Sequence, residues 1–181
     1  MPVPYSSIVR GIPAEAYCEA VEDARRRAAR DHGIELRWCF DVPGPPWMQA
    51  ADVTLDVALK QHPAGLVSFG LGGPEAGASR AQFAGHFAAA RAAGLRSVPH
   101  AGESTGPQTI WDAVRHLGAE RIGHGIAAAR DQDLMAHLRE HDIALELARQ
   151  AVRYSFLDQP RKSAVLAEID AYVTHRAPAA S

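Results

Sequence analysis

Three polar residues suited to hydrolytic chemistry follow two of the apolar runs in this sequence. The run Leu95–His100 continues into Ala-Gly-Glu103, and the run Arg121–Gly125 carries His124 between two glycines. A neutral imidazole can hold zinc, and a second imidazole can orient or deprotonate a metal-bound water. A glutamate beside them can pass protons to a ring nitrogen and to a leaving amine. This set of side chains favours metal-assisted hydrolysis at an amidine-like carbon.

A third apolar run, Leu66–Leu71, ends in Gly72-Gly-Pro-Glu75. Gly73 has no side chain, so it lets a flat heterocycle approach and offers a backbone N–H. The sequence leaves open whether Glu75 faces a substrate. Acyl transfer fits less well, because no serine or cysteine lies beside these residues with a base in reach. Taken singly, each residue is more typical of a structural role, and their coincidence favours a site.

Five apolar runs with the length of buried strands position these residues: Leu36–Asp41, Leu66–Leu71, Leu95–His100, Arg121–Gly125 and Ile143–Leu147. Helical periodicity precedes or separates them: Glu15–Ala29, Ala51–Gln61, Arg80–Ala93, Thr109–Leu117 and Asp131–Glu140. Gly33, Gly94 and Gly118 follow helical patterns as C-terminal glycines, and Asp131 is placed as an N-cap. Alternating strands and helices indicate a parallel sheet with right-handed crossovers.

Such a parallel sheet can form either an open doubly wound fold or a closed barrel. A doubly wound sheet usually carries a glycine-rich phosphate loop, and Gly70-Leu-Gly-Gly73 lacks the G-x-G-x-x-G spacing. A barrel has eight strands and about 250 residues, with its active site at the carboxyl ends of the strands. The chain has 181 residues, so the sequence predicts an α/β fold, a partial (β/α) TIM-type barrel of about five parallel strands. We expect one domain over residues 1–181, with 175–181 as a frayed tail.

Composition excludes several classes of partner. The formal net charge is −2 with both signs interspersed, so no basic face points to nucleic acid. The cationic cluster Arg25–Arg30 reads as a solvated helix face. No apolar run approaches the roughly 20 residues of a membrane helix, and no signal peptide is evident. Cys18 and Cys39 read as buried free thiols, so we expect a cytoplasmic protein.

The histidine motifs carry a specific resemblance. His100-Ala-Gly-Glu-Ser-Thr-Gly-Pro107, followed by Arg121-Ile-Gly-His-Gly125, closely resembles the central motifs of adenosine deaminases and their bacterial relatives. Arg37–Pro43 resembles that family's third barrel strand, Val67–Glu75 its fourth, and Ala148–Ile169 its closing helices. The resemblance implies a zinc-dependent purine deaminase of the amidohydrolase superfamily, acting on a 6-aminopurine compound such as adenosine.

The resemblance also implies roles for individual residues. His100 corresponds to a zinc ligand, and Glu103 to the acid that protonates the purine ring nitrogen next to the attacked carbon. His124 corresponds to the residue that positions or deprotonates the attacking water. Gly73 corresponds to the glycine that presents its backbone to the purine.

The chain departs from the family at its metal site. The family has a His-x-His pair on its first strand and an Asp-Asp pair on its eighth, and this chain has neither. Met1–Arg10 resembles the region just past the family's second strand, and the eighth strand is missing between Leu147 and Ala148. The resemblance therefore implies truncation at the N-terminus, a deletion near residue 147, and one recognisable zinc ligand.

A further departure concerns the substrate. The family usually reads Asp-Leu-Ala-Gly-Asp-Glu where this chain reads Gly70-Leu-Gly-Gly-Pro-Glu75. Pro74 removes an acidic contact to the sugar side of the substrate. Related bacterial deaminases act on adenine or on aminodeoxyfutalosine, and the latter is the preferred alternative to adenosine.

Three hypotheses follow for the chain as a whole. As an active hydrolase it needs its metal, because zinc lowers the pKa of bound water from about 15.7 to roughly 7. A general acid contributes only about 10²- to 10⁴-fold, so Glu103 does not replace the metal. The second hypothesis is an inactive remnant that binds a purine or a partner. The third is one half of a split enzyme, completed by a second polypeptide. Exposed strand edges beside Leu36–Asp41 and Ile143–Leu147 predict self-association.

Overall fold

Parallel strands and helices alternate along the computed structural model, which describes residues 3–141, 143, 158–164 and 166–167. The strands are β1 Trp38–Val42, β2 Leu66–Leu71, β3 Arg96–Ser97, β4 His100–Ala101 and β5 Gly123–His124. The α-helices are α1 Pro4–Ile8, α2 Ala14–His32, α3 Trp47–Gln61, α4 Ala84–Ala92, α5 Pro107–Leu117 and α6 Gln132–Glu140. Two 3₁₀-helices cover Arg80–Phe83 and Ile126–Arg130.

The strands lie side by side in the order in which the chain forms them. The first sheet runs β1-β2-β3 and the second β4-β5, with every pairing parallel. One backbone bond lengthens each sheet, from Val98 N–H to the Phe69 carbonyl at 3.0 Å and from Gly123 N–H to the Pro99 carbonyl at 2.9 Å. The Glu120 N–H, just before β5, donates to the Ser97 carbonyl of β3 at 3.0 Å and connects the two sheets. A doubly wound sheet reverses its order at a switch point, so this sequential order is that of a barrel wall.

The helices cover one face of this wall. Phe40 and Phe69 are fully buried on adjacent strands. Phe40 packs edge-on against Tyr17 of α2 at 6.0 Å, and Phe69 packs against Phe87 of α4 at 5.0 Å. Burial of a side chain of this size stabilises by about 1.5–3 kcal/mol. Because side chains alternate along a strand, the neighbouring Asp41 points to the opposite face, which is the inside of a barrel.

Two predicted elements are divided in the structure. The run Leu95–His100 forms β3 and β4 instead of one strand, because Pro99 has no N–H with which to continue the ladder. The pattern Arg80–Ala93 starts as a 3₁₀ turn and becomes α-helical at Ala84. The predicted strand Ile143–Leu147 lies outside the described residues except for Ile143, which is helical and buried.

The predicted helix ends are confirmed. Gly33, Gly94 and Gly118 have φ of +64°, +86° and +58°, the left-handed region in which glycine is favoured. The Asp131 side chain accepts the N–H of Leu134 at 2.9 Å and caps α6.

The charged face of α2 is also as predicted. Arg25 pairs with Glu22 at 2.8 Å, and Arg26 lies 3.9 Å from the same carboxylate. Arg27 lies 3.9 Å from Asp23. In the described part of the chain, no helix is long and apolar enough to cross a membrane.

Three further predictions concern the cysteines, the C-terminal tail and the number of domains. Cys18 is buried and Cys39 is partly buried, and both are free thiols. The tail 175–181 lies outside the described residues. The single-domain assignment over 1–181 stays a prediction.

Candidate active site

The three predicted polar residues meet at the carboxyl edge of β4 and β5. In the parallel register His100 pairs with Gly123 and Ala101 with His124, so both imidazoles leave the sheet at the same end. His100 Nδ1 lies 3.2 Å from His124 Nε2, and the rings meet edge to face at 4.9 Å. His124 Nε2 also lies 3.3 Å from Glu103 Oε2. The structure therefore brings a carboxylate and two imidazoles into one cluster, with contacts of 3.2 and 3.3 Å.

Glycines make this close approach feasible. A Cβ on Gly123 would lie 2.6 Å from Cδ2 of His100, so the imidazole occupies the space that a side chain would need. Gly125, at φ +65°, turns the chain into the following 3₁₀-helix. The structure thus assigns a turn to Gly125 and a clearance role to Gly123.

His124 itself has an uncommon backbone conformation. Its φ is +64°, in the left-handed region that non-glycine residues rarely adopt. Such conformations cost on the order of 1–3 kcal/mol and are concentrated at functional sites. In this conformation the His124 ring contacts His100 and Glu103.

Gly73 lies on the loop after β2. Its φ is +74°, and a Cβ there would lie 2.2 Å from the Pro43 carbonyl oxygen and 3.0 Å from Gly44 Cα. The absence of a side chain thus allows the loops after β1 and β2 to pack together. Among the described residues no hydrogen bond joins Gly73 to the histidines, so its contact with a purine stays a prediction.

Glu75 faces the protein interior. Only 3% of the residue is exposed. Its carboxylate accepts the backbone N–H groups of Glu103 at 3.1 Å, Ser104 at 2.9 Å and Thr105 at 3.0 Å. The Thr105 hydroxyl donates a further bond at 2.8 Å. These bonds tie Glu75 to the loop that carries Glu103, which resolves the alternative that the sequence left open.

Arg80 completes this buried arrangement. Its guanidinium is 2% exposed and lies 3.8 Å from the Glu75 carboxylate. Nη2 donates to the His100 carbonyl at 2.9 Å, and Nη1 donates to the Ala78 carbonyl at 2.9 Å. Arg80 begins a predicted helical pattern, and nothing local in that pattern distinguishes it from a surface residue.

Electrostatics set the protonation states of two groups at the site. Burial, followed by the neighbouring His124, lowers the pKa of His100 and favours the neutral imidazole that a metal ligand needs. Burial alone would raise the pKa of Glu75, but the hydrogen bonds from Thr105, Ser104 and Glu103 outweigh it, so the net shift is downward. Glu75 is therefore an anion at neutral pH.

A second acidic group lies on the inner face of β1. Asp41 is 5% exposed, and the Cys39 thiol donates to its Oδ1 at 3.6 Å. Burial raises the pKa of Asp41 to about 6 and that of Cys39 to about 12. Gly70 is the register partner of Asp41, and a Cβ there would lie 1.8 Å from the carboxylate oxygen. Sequence analysis assigned Asp41 only to a strand.

The described residues do not form a complete zinc site. His100 is the ligand that the family resemblance implies. No group of three or more His, Cys, Asp or Glu side chains placed to hold a metal occurs within residues 3–141 or the later described positions. A metal at this edge would therefore need ligands from elsewhere.

Comparisons with known sequences agree with the motifs. The family model for adenosine deaminase matches residues 2–148. Aminodeoxyfutalosine deaminase from Streptomyces avermitilis is 54% identical over 158 residues, which are 83% of this chain and 44% of the relative. Adenosine deaminase from Serratia proteamaculans is 41% identical over 142 residues, 78% of this chain and 42% of that relative. The chain spans less than half the length of these curated relatives.

A solved structure supports the fold. A zinc-bound amidohydrolase from Burkhoderia ambifaria is similar with a TM-score of 0.71 at 28% identity, over 78% of this chain and 40% of that chain. Together with the sequential parallel strands, this similarity confirms an α/β fold of the TIM-barrel amidohydrolase type, present as a part of the barrel.

Proposed function

The chain belongs to the adenosine deaminase family, and from this we propose that it carries the proton-transfer side of a site for hydrolytic deamination of a 6-aminopurine compound. The observation that supports the proposal is the cluster of His100, Glu103 and His124. Its contacts of 3.2 and 3.3 Å bring an acid and a base to one edge of the sheet. The reaction needs both groups, because water must lose a proton while the ring nitrogen gains one.

The proposed chemistry uses these residues in order. His124 takes a proton from the attacking water, whose oxygen bonds to the ring carbon that bears the amino group. Glu103 protonates the adjacent ring nitrogen, which accepts the electron pair displaced from the C=N bond. Proton return to the amino group then lets it leave as ammonia, and a carbonyl forms at the same carbon. Gly73 leaves the purine plane free of a side chain.

The substrate that we propose first is aminodeoxyfutalosine. The relative of that name is 54% identical, against 41% for the adenosine deaminase. Pro74 replaces the acidic residue that adenosine deaminases usually carry at this point of the loop, which weakens the case for adenosine. Adenosine and adenine are the alternatives to be tested beside it.

Zinc is the proposed metal, with His100 as one ligand. The described residues supply too few ligands, so we propose that the remainder come from residues outside the described part or from another polypeptide. A bound zinc would lower the pKa of the attacking water, so that His124 can take its proton, while Glu103 would protonate the ring nitrogen.

The first experiment is zinc analysis of the purified chain with a matched pair of variants. His100→Ala removes the proposed ligand. His137→Ala serves as control, because the rings of His137 in α6 and His141 just after it lie 4.2 Å apart and would retain any metal bound at the surface. We expect about one zinc per chain, lost in His100→Ala and kept in His137→Ala. Deamination of the three substrates, followed by ultraviolet absorbance and ammonia release, then tests the reaction.

Absence of stoichiometric zinc would contradict an enzyme that is active as this chain alone and favour the second candidate, an inactive purine-binding or partner-binding chain. The observation behind that candidate is the single ligand in the described region. Within that region β1 and β5 each pair along one edge, so we also propose self-association through these strands. A sharp monomer peak in size-exclusion chromatography at high protein concentration would contradict self-association.

A further inference from the structure

We propose that Glu75 and Arg80 are a buried positioning pair that fixes Glu103 and His100 relative to each other. This inference rests on the proposed function for the meaning of Glu103 and His100. The arrangement of the pair is independent of that function, because it joins two sides of one short segment of backbone. Glu75 holds the segment after β4, and Arg80 holds the carbonyl at the start of β4.

Glu75 has the chemistry that its position requires. Three consecutive backbone N–H groups and one hydroxyl converge on its carboxylate, with distances from 2.8 to 3.1 Å. All four bonds reach the same oxygen, Oε2, and the Glu103 N–H also lies 3.2 Å from Oε1. Such crowding of donors is favoured by the negative charge of a carboxylate that carries no hydrogen of its own. A glutamine with its oxygen in the Oε2 position would place its NH₂ group in the Oε1 position, against the Glu103 N–H and the Arg80 guanidinium, which are themselves donors. The anion is therefore specific to this loop geometry.

Arg80 compensates the charge and extends the link. Its guanidinium lies 3.8 Å from Glu75 and donates to the His100 carbonyl at 2.9 Å. The two buried side chains thus contact the backbone of His100 on one side and of Glu103 on the other. A displacement of the Glu75 or the Arg80 side chain would therefore move Glu103 and His100 relative to each other.

The β4 backbone alone gives this segment little support. β4 and β5 share only two register pairs, His100 with Gly123 and Ala101 with His124. Gly102 then turns the chain at φ +71°, before Glu103. The described backbone–backbone bonds of the sheet do not reach Glu103, whose N–H instead bonds to Glu75. Its position is therefore set by a side chain and not by a strand.

Apolar residues of similar size often stabilise a core as well as a buried ion pair does. A charged pair with every oxygen directed to one loop is explained better by the geometry of that loop than by stability. Substrate contact through Glu75 is disfavoured, because 1% of its side chain is exposed.

The test is residue-resolved amide hydrogen exchange on Glu75→Gln. The matched control is Glu120→Gln at the opposite edge of the sheet, where Glu120 accepts the Ser97 N–H at 3.3 Å and pairs with Arg96. We expect exchange at residues 103–105 to accelerate about 10- to 100-fold in Glu75→Gln, as for loss of a charge-assisted bond. Exchange at Phe69 in β2 should stay unchanged in both variants.

Glu75→Asp keeps the charge with a shorter reach and should restore part of the protection at residues 103–105. If Glu75→Gln does not fold, Arg80→Lys replaces it, with faster exchange expected at Ala101 and Glu103. Faster exchange throughout the sheet, or no change at 103–105, would overturn the proposal, since either result means a purely structural role.

A kinetic measurement separates this inference from the proposed function. If the chain deaminates a purine, Glu75→Gln should lower kcat at least about tenfold while KM changes less than about threefold, and Glu120→Gln should alter neither. Equal effects of the two variants would count against a positioning role. A wild-type chain without deaminase activity would remove the proposed function, and the exchange result would still decide the positioning pair.

Discussion

The two halves of the strand layer are held together by different forces. β1 and β2 pair over five register positions and present fully buried aromatic side chains to the helices. β4 and β5 pair over two positions, and the loop after β4 is held by Glu75 and Arg80. The first half is an apolar scaffold, and the second is a polar edge that carries the candidate site.

This difference predicts which substitutions each half of the strand layer tolerates. Apolar packing tolerates exchange of one hydrophobic residue for another when volume is kept. A carboxylate that accepts several N–H groups has no equivalent among the neutral side chains, because none of them offers a charged acceptor without a hydrogen of its own. Substitutions in the scaffold should therefore change stability, and substitutions at the polar edge should change local geometry.

Phe69→Ala should have the largest effect on stability. The ring is fully buried against Phe87, and loss of such a side chain costs about 3–5 kcal/mol. Urea denaturation measures the loss, with Val67→Ala as control because Val67 is 40% exposed on the same strand. Similar losses in the two variants would contradict the scaffold assignment.

Asp41→Asn tests the one part of the comparison that the apolar residues do not, because Asp41 is an ionisable residue buried within the scaffold. Its pKa in the folded state is about 6, above its ordinary value of 3.8, so the folded state binds the proton more tightly. The wild-type free energy of unfolding should therefore fall as pH rises from about 4 to 6 and stay lower above that range. A pKa difference of one unit between the folded and unfolded states corresponds to about 1.4 kcal/mol, so the free energy of unfolding should fall by roughly 3 kcal/mol in total.

Asparagine does not ionise, so the variant should be more stable than the wild type at pH 7.5 and nearly equal to it at pH 4. Denaturation curves at the two pH values measure this. A stability difference between the proteins that does not vary with pH would show that Asp41 does not titrate in this way.

Gly123→Ala tests the polar edge. The new methyl group would lie 2.6 Å from Cδ2 of His100, so the ring must move. Overpacking costs about 1–3 kcal/mol, but the main result should be loss of the His100–His124 contact. Ring-to-ring nuclear Overhauser effects measure that contact, with Gly85→Ala as control because nothing lies within 4 Å of its Cβ position. An intact contact would contradict the clearance role of Gly123.

Asp131→Ala should have the smallest effect, about 1 kcal/mol, because it removes the N-cap of α6. It also removes the acceptor of the Trp111 indole N–H at 2.9 Å. Thermal denaturation measures the change, and Asp131→Asn should retain most of the stability. A loss much above 2 kcal/mol would mean that the contact with Trp111 matters more than the cap.

Sequence reasoning was most successful where local pattern decides the structure. The run Leu66–Leu71 is β2 to the residue, because a buried strand must be apolar and bounded by chain-reversing residues. The proximity of His100, Glu103 and His124 was also predicted, since carboxyl ends of parallel strands share one edge. The division of the third predicted strand follows from Pro99, a residue that is visible in the sequence.

The supporting residues of the site were not predictable in the same way. Glu75 and the loop at 103–105 are separated by about 30 residues of chain, and only the folded state brings them together. Arg80 precedes an alanine-rich helix and has the local character of a surface residue. The clearance role of Gly123 depends on where the His100 ring lies. Each of these depends on tertiary contacts that no local pattern encodes.

The pairing of Asp41 with Gly70 determines the order in which these two positions can be substituted during evolution. Any side chain at position 70 would collide with the carboxylate, whose oxygen lies 1.8 Å from the Cβ position. A lineage can therefore acquire a larger residue at 70 only after position 41 has become smaller or turned away. The reverse path, enlargement at 70 first, passes through a clashing intermediate. Related sequences should accordingly show the two positions exchanging as a pair.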